Sequence, residues 1–549
     1  MRWTKPPTSL EHVPALAAGG LMGRYLHDPE FAREFYGAHP GDEDALRARA
    51  EMLAARSYPR KELAAILRRQ NGAWRLSEET ARQIDALEQG AFCAFTGQQT
   101  GLFTGPLYTV YKALTTVAWA RHVTDLLAHP VVPVFWLAAD DHDLEEINHA
   151  VLPDANGRPR TLRYAASDDA EGRRVSRRTF GEDILPWLGD ALSILGEGPG
   201  RADVLRTIRD AYQPGCSWAD ACAHLLAGWL GRFGLVLVSP DDPELKQLMA
   251  PLFQAEISDP EASRQALAER DAAISAAGYA PQVGRTEHAT LLFMDDEAGV
   301  RRRIDLAGDG YVWKGRDRPL SRRALQNIFE AEPERFSANA LLRPVTADAV
   351  FPTLVQVMGP GEVAYMAQAR GLYFRHDVLM PLVLPRARFT MIPREIERLL
   401  GDESLSLEDA FQPVDRWIGK LASAEKERQF GGALDACRQD LDAAYERLDD
   451  AVRVALPGVR NAVASARMKT QGLANKLERT LAQEMRRRER ARKDRLERIG
   501  NALYPLGEPQ ERVYTVAPYL VRYGVGWLDA VLEVIDVHNT AHLALWPDS

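Results

Sequence analysis

AFCAFTGQQTGLFTGPLYTVYKALTTVAWA, residues 91–120, is the stretch of sequence that decides the fold. It opens with a short apolar run typical of a strand and closes with apolar residues at helical spacing. Gly97, Gly101 and Gly105 stand between the two, each four positions from the next. A strand, a glycine-rich turn and a helix in this order predict the first part of a right-handed βαβ unit.

A second strand is predicted at 130–139, PVVPVFWLAA, and completes that unit. Because its apolar run is too long to alternate, it suits a central parallel strand covered on both faces. The same pattern returns later in the chain, at 221–243, 340–345, 353–371 and 378–392. It breaks at 151–210 and at 279–335, and the second break is typical of antiparallel strands. The sequence therefore predicts an α/β fold with a parallel, Rossmann-like sheet that two insertions interrupt.

Residues 400–503 differ in character, because leucines recur there at heptad and four-residue spacing along two predicted helices. Pro457-Gly458 separates the two helices, so they are expected to form an antiparallel coiled-coil hairpin. A second copy could cover apolar surface that this hairpin leaves exposed, and we predict a homodimer through it. The segment 486–498 is strongly basic. It is either a nucleic-acid arm or a solvated face whose arginines pair with neighbouring carboxylates, and the acidic composition favours the second interpretation.

These patterns predict seven segments along the chain. They are N-terminal helices with the first half of the core (1–150), a first insertion (151–212), core (213–258), a second insertion (259–338), the completed core (339–396), the helical hairpin (397–504) and a segment docking on the core (505–549).

Composition excludes several classes of function. The formal charge of −9 and the pI near 5.8 argue against broad affinity for nucleic acid or membranes. The longest apolar run is too short to span a bilayer, and the N-terminal residues lack the apolar core of a signal peptide. The four cysteines show no CxxC pair, so they are expected to be free thiols. We expect a cytoplasmic protein without a membrane or nucleic-acid partner.

The glycine-rich turn is the first candidate site. Its candidate binding residues are Thr96, Gly97, Gly101 and Gly105. Gly105-Pro106 predicts a helix start whose unpaired N–H groups favour an anion. The spacing is that of neither a dinucleotide-binding turn nor a P-loop. Gln98 and Gln99 supply neutral donors and acceptors, which suit an adenylate or amino-acid group. The alternative is a tight turn that packs helix on strand.

Asp140-Asp141-His142-Asp143 follows the second strand and is the second candidate site, with Asn148 and His149 close behind. These side chains could hold a divalent ion, or orient a histidine for acid–base chemistry or phosphate contact. The spacing matches no standard metal site, and none is predicted. The alternative is the acidic first turn of a helix, which does not explain a histidine directly after a buried strand. We predict His142 and Asp141 as catalytic residues, and Asp143 and Asn148 as binding residues.

A third candidate site is the elbow GPGEVAY at 359–365, whose candidate binding residues are Gly359, Gly361, Glu362 and Tyr365. Capping and packing are the alternative for this elbow. Arg343 is predicted inside an apolar strand, LLRPV, where it is costly unless it meets an anion or a carboxylate. Arg386, in LPRAR, is a further candidate for binding.

TGQQTGLFTGPLYTVYKAL, PVFWLAADDHDLEEINHA, LLRPV and GPGEVAY together resemble the BshC family, the cysteine-adding enzymes of bacillithiol biosynthesis, over nearly the whole chain. The resemblance implies a distant likeness to class I aminoacyl-tRNA synthetases, with a Rossmann core, two connecting-peptide insertions and a coiled coil implicated in dimerisation. It also implies a ligase that joins cysteine to glucosaminyl-malate. ATP, with Mg²⁺, would be a cosubstrate, and no tightly bound cofactor is expected.

The resemblance suggests roles for the candidate residues. ATP would activate the cysteine carboxylate as an adenylate, which the glucosamine amine would attack. Gln98 and Gln99 would stabilise developing charge. His142, oriented by Asp141, would assist proton transfer or contact phosphate. The alternative function is a non-catalytic binding module that uses the basic hairpin for RNA or a protein partner.

Overall fold

The computed structural model describes residues 2–165, 172–314, 319–412 and 424–548. The chain forms two compact units. Met1–Arg394 and Glu508–Ser549 make up the first unit, and Glu395–Gly507 makes up the second. The C-terminal segment after the hairpin therefore belongs to the same unit as the core.

The described strands, β1 to β15 in chain order, are Thr8–Ser9, Phe92–Gln98, Val131–Leu137, His149–Pro153, Pro159–Arg163, Val236–Val238, Ala289–Asp295, Arg301–Ala307, Gly310–Trp313, Leu320–Ser321, Phe336–Ala338, Thr353–Met358, Leu382–Pro385, Arg388–Met391 and His542–Leu545.

The described α-helices, α1 to α21 in chain order, are Gly20–His27, Pro29–Tyr36, Glu43–Ala54, Arg60–Ala73, Glu78–Glu88, Tyr108–Leu127, Ile184–Ile194, Arg201–Ala211, Trp218–Leu230, Pro243–Ser258, Pro260–Ala276, Arg322–Ala331, Arg343–Val350, Pro360–Arg375, Arg394–Asp402, Leu407–Ala410, Ala424–Ala455, Arg460–Leu503, Gln510–Val513, Ala517–Tyr523 and Trp527–Glu533. Short 3₁₀ turns occupy Leu102–Thr104, Val175–Arg177, Gly231–Phe233, Pro333–Arg335, Pro457–Val459 and Pro505–Gly507.

A five-stranded parallel sheet forms the core of the first unit, in the order β13-β12-β2-β3-β6. β2 and β3 pair along their whole length, from Phe92 opposite Val131 to Gln98 opposite Leu137. Every residue of β3 is buried. Burying each of its large apolar side chains contributes about 1.5–3 kcal/mol, so the continuous apolar run at 130–139 specifies a central strand. The predicted Rossmann-like sheet is confirmed.

The strand order places the candidate sites together. β2 lies between β3 and β12, and the chain leaves all three at the same edge of the sheet. The glutamine turn follows β2, the acidic segment follows β3 and the GPGEVAY elbow follows β12. Ligands in open α/β sheets bind at such carboxyl ends, where the strand order switches direction.

Both breaks in the core pattern contain elements of their own. In the first, β4 and β5 form an antiparallel hairpin, and two helices, α7 and α8, follow it. In the second, an antiparallel sheet has the order β10-β9-β8-β7-β11. The sequence predicted antiparallel strands there, of which β7, β8 and β9 are the longest. The additional strands, β10 and β11, have only two and three residues, which is too short for an alternating pattern to be recognised.

One predicted strand and one alternative interpretation were wrong. Arg343 does not lie in a strand but begins α13, because Pro344 lacks the N–H that a strand would need and fits the first turn of a helix. The run 378–392 is divided between two sheets, since β13 joins the parallel sheet and β14 pairs with β15. The acidic segment Asp140–Asn148 contains turns but no helix, so the helix-turn alternative for it is also wrong.

In the second unit, the helices Ala424–Ala455 and Arg460–Leu503 form the predicted antiparallel hairpin around the turn at Pro457–Val459. Polar pairs join the two helices, including Tyr445 with Thr470 at 2.7 Å. Several large apolar side chains of the hairpin remain exposed: Leu448, Val454, Leu456, Val459, Met468, Leu473 and Leu477.

The basic segment of the second helix is partly charge-paired. Arg492 and Arg495 both bind Glu403, at 2.8 and 2.7 Å. These contacts match the interpretation of a solvated face with neighbouring carboxylates. Among the described residues, no helix has both the length and the apolar character needed to cross a bilayer.

Candidate active site

A cavity of about 700 Å³ lies in the first unit at the carboxyl ends of β2, β3 and β12. The predicted site residues that line it are Gln98, Gln99, Asp141, His142, Arg343, Gly359, Gly361, Glu362, Tyr365 and Arg386. They come from positions between 98 and 386, and the parallel sheet brings them together. The second insertion also contributes side chains that sequence analysis did not single out, including Arg285, Arg301 and Arg303.

Other predicted binding residues do not line this cavity: Thr96, Gly97, Gly101, Gly105, Asp143 and Asn148. The Thr96 hydroxyl donates to the Val357 carbonyl at 2.7 Å and so ties β2 to β12. The Asp143 carboxylate accepts from the backbone N–H of Glu145 at 3.1 Å, which closes a local turn. The Asn148 side chain accepts from Arg163 across the β4–β5 hairpin, at 3.2 Å. His149 is the first residue of β4, and its Nδ1 lies 3.1 Å from the carbonyl oxygen of Glu145.

The three glycines of the turn permit close packing. A Cβ on Gly97 would lie 3.0 Å from the Trp136 carbonyl oxygen, and one on Gly101 would lie 3.1 Å from the Cα of Gly105. Gly105 itself has a φ of +74°, which disfavours any side chain. These contacts favour the tight-turn alternative for the glycines, whereas the two glutamines face the cavity.

The helix after the turn begins later than predicted. Its first residue is Tyr108, and Pro106 lies outside it. The N–H of Leu107 donates to the Tyr514 carbonyl at 2.7 Å, and the N–H of Thr109 donates to the Pro106 carbonyl at 2.9 Å. Backbone carbonyls therefore already occupy two of the N–H groups that were expected to attract an anion.

A lysine does reach the turn, but the following helix supplies it. Lys112, in the second turn of α6, is buried, and its Nζ donates to the carbonyl of Gly97 at 2.6 Å and to Gln98 Oε1 at 3.0 Å. It also forms an ion pair with Glu362 at 2.5 Å. Burial lowers the pKa of Lys112, and the carboxylate of Glu362 partly opposes that shift. Lys112 was not among the predicted site residues, although a lysine inside an otherwise apolar helix was a usable signal.

Glu362 links this lysine to the GPGEVAY elbow. Its carboxylate also accepts from the backbone N–H of Gly359 at 2.8 Å, as a residue in the first turn of a helix commonly does. The predicted capping interaction is therefore present, together with an ion pair that fixes Gln98. Gln98 Nε2 lies 3.4 Å from the Tyr108 hydroxyl.

Asp141 lies at the centre of a second polar group. Its carboxylate accepts from Gln99 Nε2 at 3.1 Å and lies 3.5 Å from the guanidinium of Arg301. Burial alone would raise the pKa of Asp141. The charge of Arg301 and the hydrogen bonds from Gln99 and from the backbone N–H of His142 outweigh burial and hold that pKa well below its usual range. Asp141 is thus a carboxylate throughout the physiological pH range.

The surroundings of His142 define which of its nitrogens carries a proton. Arg301 donates to His142 Nδ1 at 3.0 Å, while Asp141 lies farther from the same atom, at 3.4 Å. A guanidinium can only donate, so Nδ1 accepts and the proton of a neutral ring resides on Nε2. His142 therefore presents an N–H donor at Nε2, and its orientation depends on Arg301 as well as on Asp141.

Two arginines of the cavity differ in how they are paired. Arg386 is buried and binds both carboxylate oxygens of Glu511, at 2.8 and 2.6 Å. Among the described residues, the guanidinium of Arg343 donates only to the Tyr365 hydroxyl, at 2.9 Å, and forms no ion pair. A cation that faces a cavity without a carboxylate partner is suited to bind an anionic ligand.

Arg301 and Arg303 reach the cavity because they alternate along β8. Arg302, between them, points away from it and pairs with Asp296 at 2.6 Å. The guanidinium of Arg301 packs over the ring of Phe293, 3.9 Å from its centroid. The run RRR at 301–303 in a predicted strand contained this signal, since a period of two assigns its first and third members to one face.

Asp140 takes part in a cluster of buried ion pairs, unlike Asp141 and His142. It accepts from Lys246 at 2.9 Å and from Arg174 at 3.3 Å, and both of these cations are fully buried. Arg174 also binds Asp241 at 2.7 Å and Asp295 at 2.9 Å. Asp140 also lines the cavity, and this cluster joins the core to both insertions.

The cavity residues suit a magnesium nucleotide better than a resident metal. Within the described ranges, no three histidine, cysteine or carboxylate donors converge at the cavity. Mg²⁺ usually binds through one or two carboxylates together with substrate phosphates, and Asp141 offers such a carboxylate.

The fold and the site together define a Rossmann-like α/β protein whose cation-rich and amide-rich cleft is suited to small anionic substrates. Residues 9–387 match the family model described as "Bacillithiol biosynthesis BshC, N-terminal Rossmann-like domain". Residues 389–545 match "Bacillithiol biosynthesis BshC, C-terminal coiled-coil domain". The chain belongs to the BshC family.

Full-length relatives agree with this assignment, and each is named "Putative cysteine ligase BshC". The chain is 35% identical to the protein of Salinibacter ruber, over 98% of this chain and 97% of the relative. It is 32% identical to that of Symbiobacterium thermophilum, over 96% of this chain and 97% of the relative. For a Bacillus cereus protein the identity is 31%, over 89% of this chain and 91% of the relative.

Proposed function

We propose that this protein is a ligase that joins L-cysteine to glucosaminyl-malate through an amide bond, after ATP has activated the cysteine carboxylate. The relatives carry the name of a cysteine ligase, and the description of the family names bacillithiol biosynthesis. Both substrates and the nucleotide carry carboxylate or phosphate groups, so the site must bind several negative charges.

The proposal depends on one observation: among the described residues, the guanidinium of Arg343 faces the cavity without a carboxylate partner. Its guanidinium faces the cavity with Tyr365 as its hydrogen-bond partner, and the cavity also contains Gln98, Gln99 and His142. A guanidinium binds carboxylate or phosphate through two parallel hydrogen bonds. We assign Arg343 to a carboxylate or phosphate of the bound substrates.

The reaction needs two displacements. A carboxylate oxygen of cysteine attacks the α-phosphorus of ATP, and pyrophosphate leaves from an acyl adenylate. The glucosamine amine then attacks the acyl carbon, AMP leaves with the former carboxylate oxygen, and the amine gives up a proton. His142 Nε2–H and the side chain of Gln99 would donate to oxygens that gain charge in these steps.

Direct reconstitution tests this function. Purified protein is incubated with cysteine, glucosaminyl-malate and Mg-ATP, and mass spectrometry detects the amide product and the nucleotide released. Product formed together with an equal amount of AMP is the expected result. ADP in place of AMP would overturn the adenylate step alone. Absence of product, with no restoration of bacillithiol in a host that lacks the gene, would overturn the function itself.

We also propose that the protein is a homodimer through the hairpin. The exposed apolar side chains of Met468, Leu473 and Leu477, all on the helix Arg460–Leu503, support this assembly. Leu473 and Leu477 lie one turn apart on one face of that helix, and apolar surface exposed in this way commonly marks an interface between proteins.

A further inference from the structure

Three side chains from distant parts of the sequence meet on the first unit, outside the cavity. Glu43 is the first residue of α3, His122 lies in α6, and His538 lies in the segment between α21 and β15. One donor atom from each of the three lies within 4.8 Å of the others, and this group is the one found among the described residues. The proposed reaction uses none of them.

One ring nitrogen of His122 lacks a hydrogen-bond partner among the described residues. Its Nε2 is buried and has no hydrogen-bond partner within the described part of the chain. Leaving a buried polar nitrogen unpaired is costly, so an ordered water molecule or a bound ion is expected to satisfy it. A metal ion bound through that nitrogen would do so.

The two imidazoles pack against each other and against one tryptophan. The rings of His122 and His538 lie 4.9 Å apart and nearly perpendicular, and Trp119 packs edge-on against both, at 5.5 and 6.1 Å. The backbone N–H of His538 donates to the Asp536 carboxylate at 3.0 Å, which fixes the turn. Asp125 and Asp536 add further negative charge close to His122.

We propose that Glu43, His122 and His538 form a binding site for Zn²⁺ or a similar divalent transition-metal ion. Two imidazoles and one carboxylate are a donor set that such ions prefer, whereas Ca²⁺ and Mg²⁺ favour oxygen ligands alone. Ligands about 2.0–2.1 Å from a tetrahedral zinc lie roughly 3.3 Å from each other, so the donors must close in by about 1.5 Å. Glu43 and His538 are exposed and can make that movement, while the partly buried His122 stays in place.

The bound ion would join three separate segments of the first unit. It would link the N-terminal helices through α3, the helix that carries Lys112 through α6, and the C-terminal segment through His538. Three protein ligands leave a fourth position for water or for a small thiol or carboxylate ligand. Zinc binding at this site can be measured without turnover. A failure of this proposal is therefore distinguishable from a failure of the proposed ligase reaction.

Metal titration tests the proposal directly. The metal-free full-length protein is prepared in a Cys437→Ser background, because this exposed thiol could itself bind zinc. Zn²⁺ is then titrated in competition with a chromophoric chelator, and Co²⁺ is used to record the ligand-field spectrum. We expect one ion per chain and a tetrahedral Co²⁺ spectrum.

Matched variants locate the ion. His538→Ala and Glu43→Gln change exposed side chains, so both are expected to fold, and each should weaken zinc binding at least tenfold. His122→Ala should weaken it further. His27→Ala changes an exposed histidine elsewhere and should bind as the parent does. A stoichiometry near zero, or equal affinity in the His538→Ala and Glu43→Gln variants and the parent, would overturn the proposal.

Discussion

Replacing Arg343 with alanine removes a cation from the cavity without breaking an ion pair, since its guanidinium donates only to Tyr365 among the described residues. If Arg343 binds a substrate carboxylate or phosphate, the variant loses charge-assisted hydrogen bonds, each contributing about 1.5–3 kcal/mol. At about 1.4 kcal/mol per factor of ten, one such bond corresponds to a loss of roughly 10- to 150-fold in kcat/KM, and a bidentate contact to more.

Two further variants separate charge from geometry. Arg343→Lys keeps the charge but cannot form the two-pronged contact, so its kcat/KM should fall between those of the parent and the alanine variant. Tyr365→Phe keeps the guanidinium but removes the hydroxyl that orients it, and a smaller loss is expected. Initial rates of amide formation at varied concentrations of each substrate also show which substrate Arg343 contacts, because the KM for that substrate should rise most.

Arg386→Ala is the matched control for stability. Arg386 lines the same cavity but is bound to buried Glu511, and breaking a buried pair of this kind costs about 3–5 kcal/mol. Thermal unfolding should therefore show a clear loss for Arg386→Ala and little change for Arg343→Ala. If Arg343→Ala retains kcat/KM within twofold for every substrate while it stays folded, the assignment of Arg343 to substrate binding is wrong.

Three other perturbations follow from buried or exposed groups. Lys112→Met should lower ligase activity at least tenfold, because Gln98 and Glu362 both lose their shared partner; wild-type rates in the folded variant would show that this contact does not serve the reaction. Burial raises the pKa of Asp348 to about 7, above an unfolded value of about 3.9. Between these two pH values the native state keeps a proton on Asp348 that the unfolded state has lost, so the free energy of unfolding falls as pH rises through this range. Asp348→Asn should flatten that part of the pH profile in denaturant titrations, and an unchanged slope would refute the argument. Leu473→Glu combined with Leu477→Glu should convert the proposed dimer to a monomer in light scattering, with Leu506→Glu as an exposed control; a wild-type monomer at micromolar concentration would disprove the dimer.

The sequence was sufficient for the sheet and for bringing several candidate side chains to one edge of it. A continuous apolar run specified β3, and carboxyl ends of parallel strands meet at one edge, so the positions of Gln99, Asp141 and His142 could be inferred together. The residues Gly-Pro-Gly-Glu at 359–362 also predicted the elbow and its capping carboxylate, Glu362. These features depend on neighbours along the chain or on a general rule of sheet topology.

The remaining parts of the site depend on contacts between distant segments. Lys112 and Arg301 come from a helix interior and from an insertion, and only the three-dimensional packing shows that they face Gln98 and His142. Arg343 was placed in a strand because apolar residues flank it, although Pro344 favoured a helix start. Thr96 was predicted as a binding residue from its place in the turn, and the structure shows that its hydroxyl donates to the Val357 carbonyl of the neighbouring strand.

The buried cluster around Arg174 limits how the two insertions can evolve. Arg174 comes from the first insertion and Asp295 from the second, while Asp140 and Asp241 come from the core. Replacing the first insertion alone with one that lacks this arginine would leave the buried carboxylates of Asp241 and Asp295 without that cation, at a cost of about 3–5 kcal/mol. The two insertions are therefore expected to be inherited as a pair, and functional chimeras between family members should require both to be exchanged together.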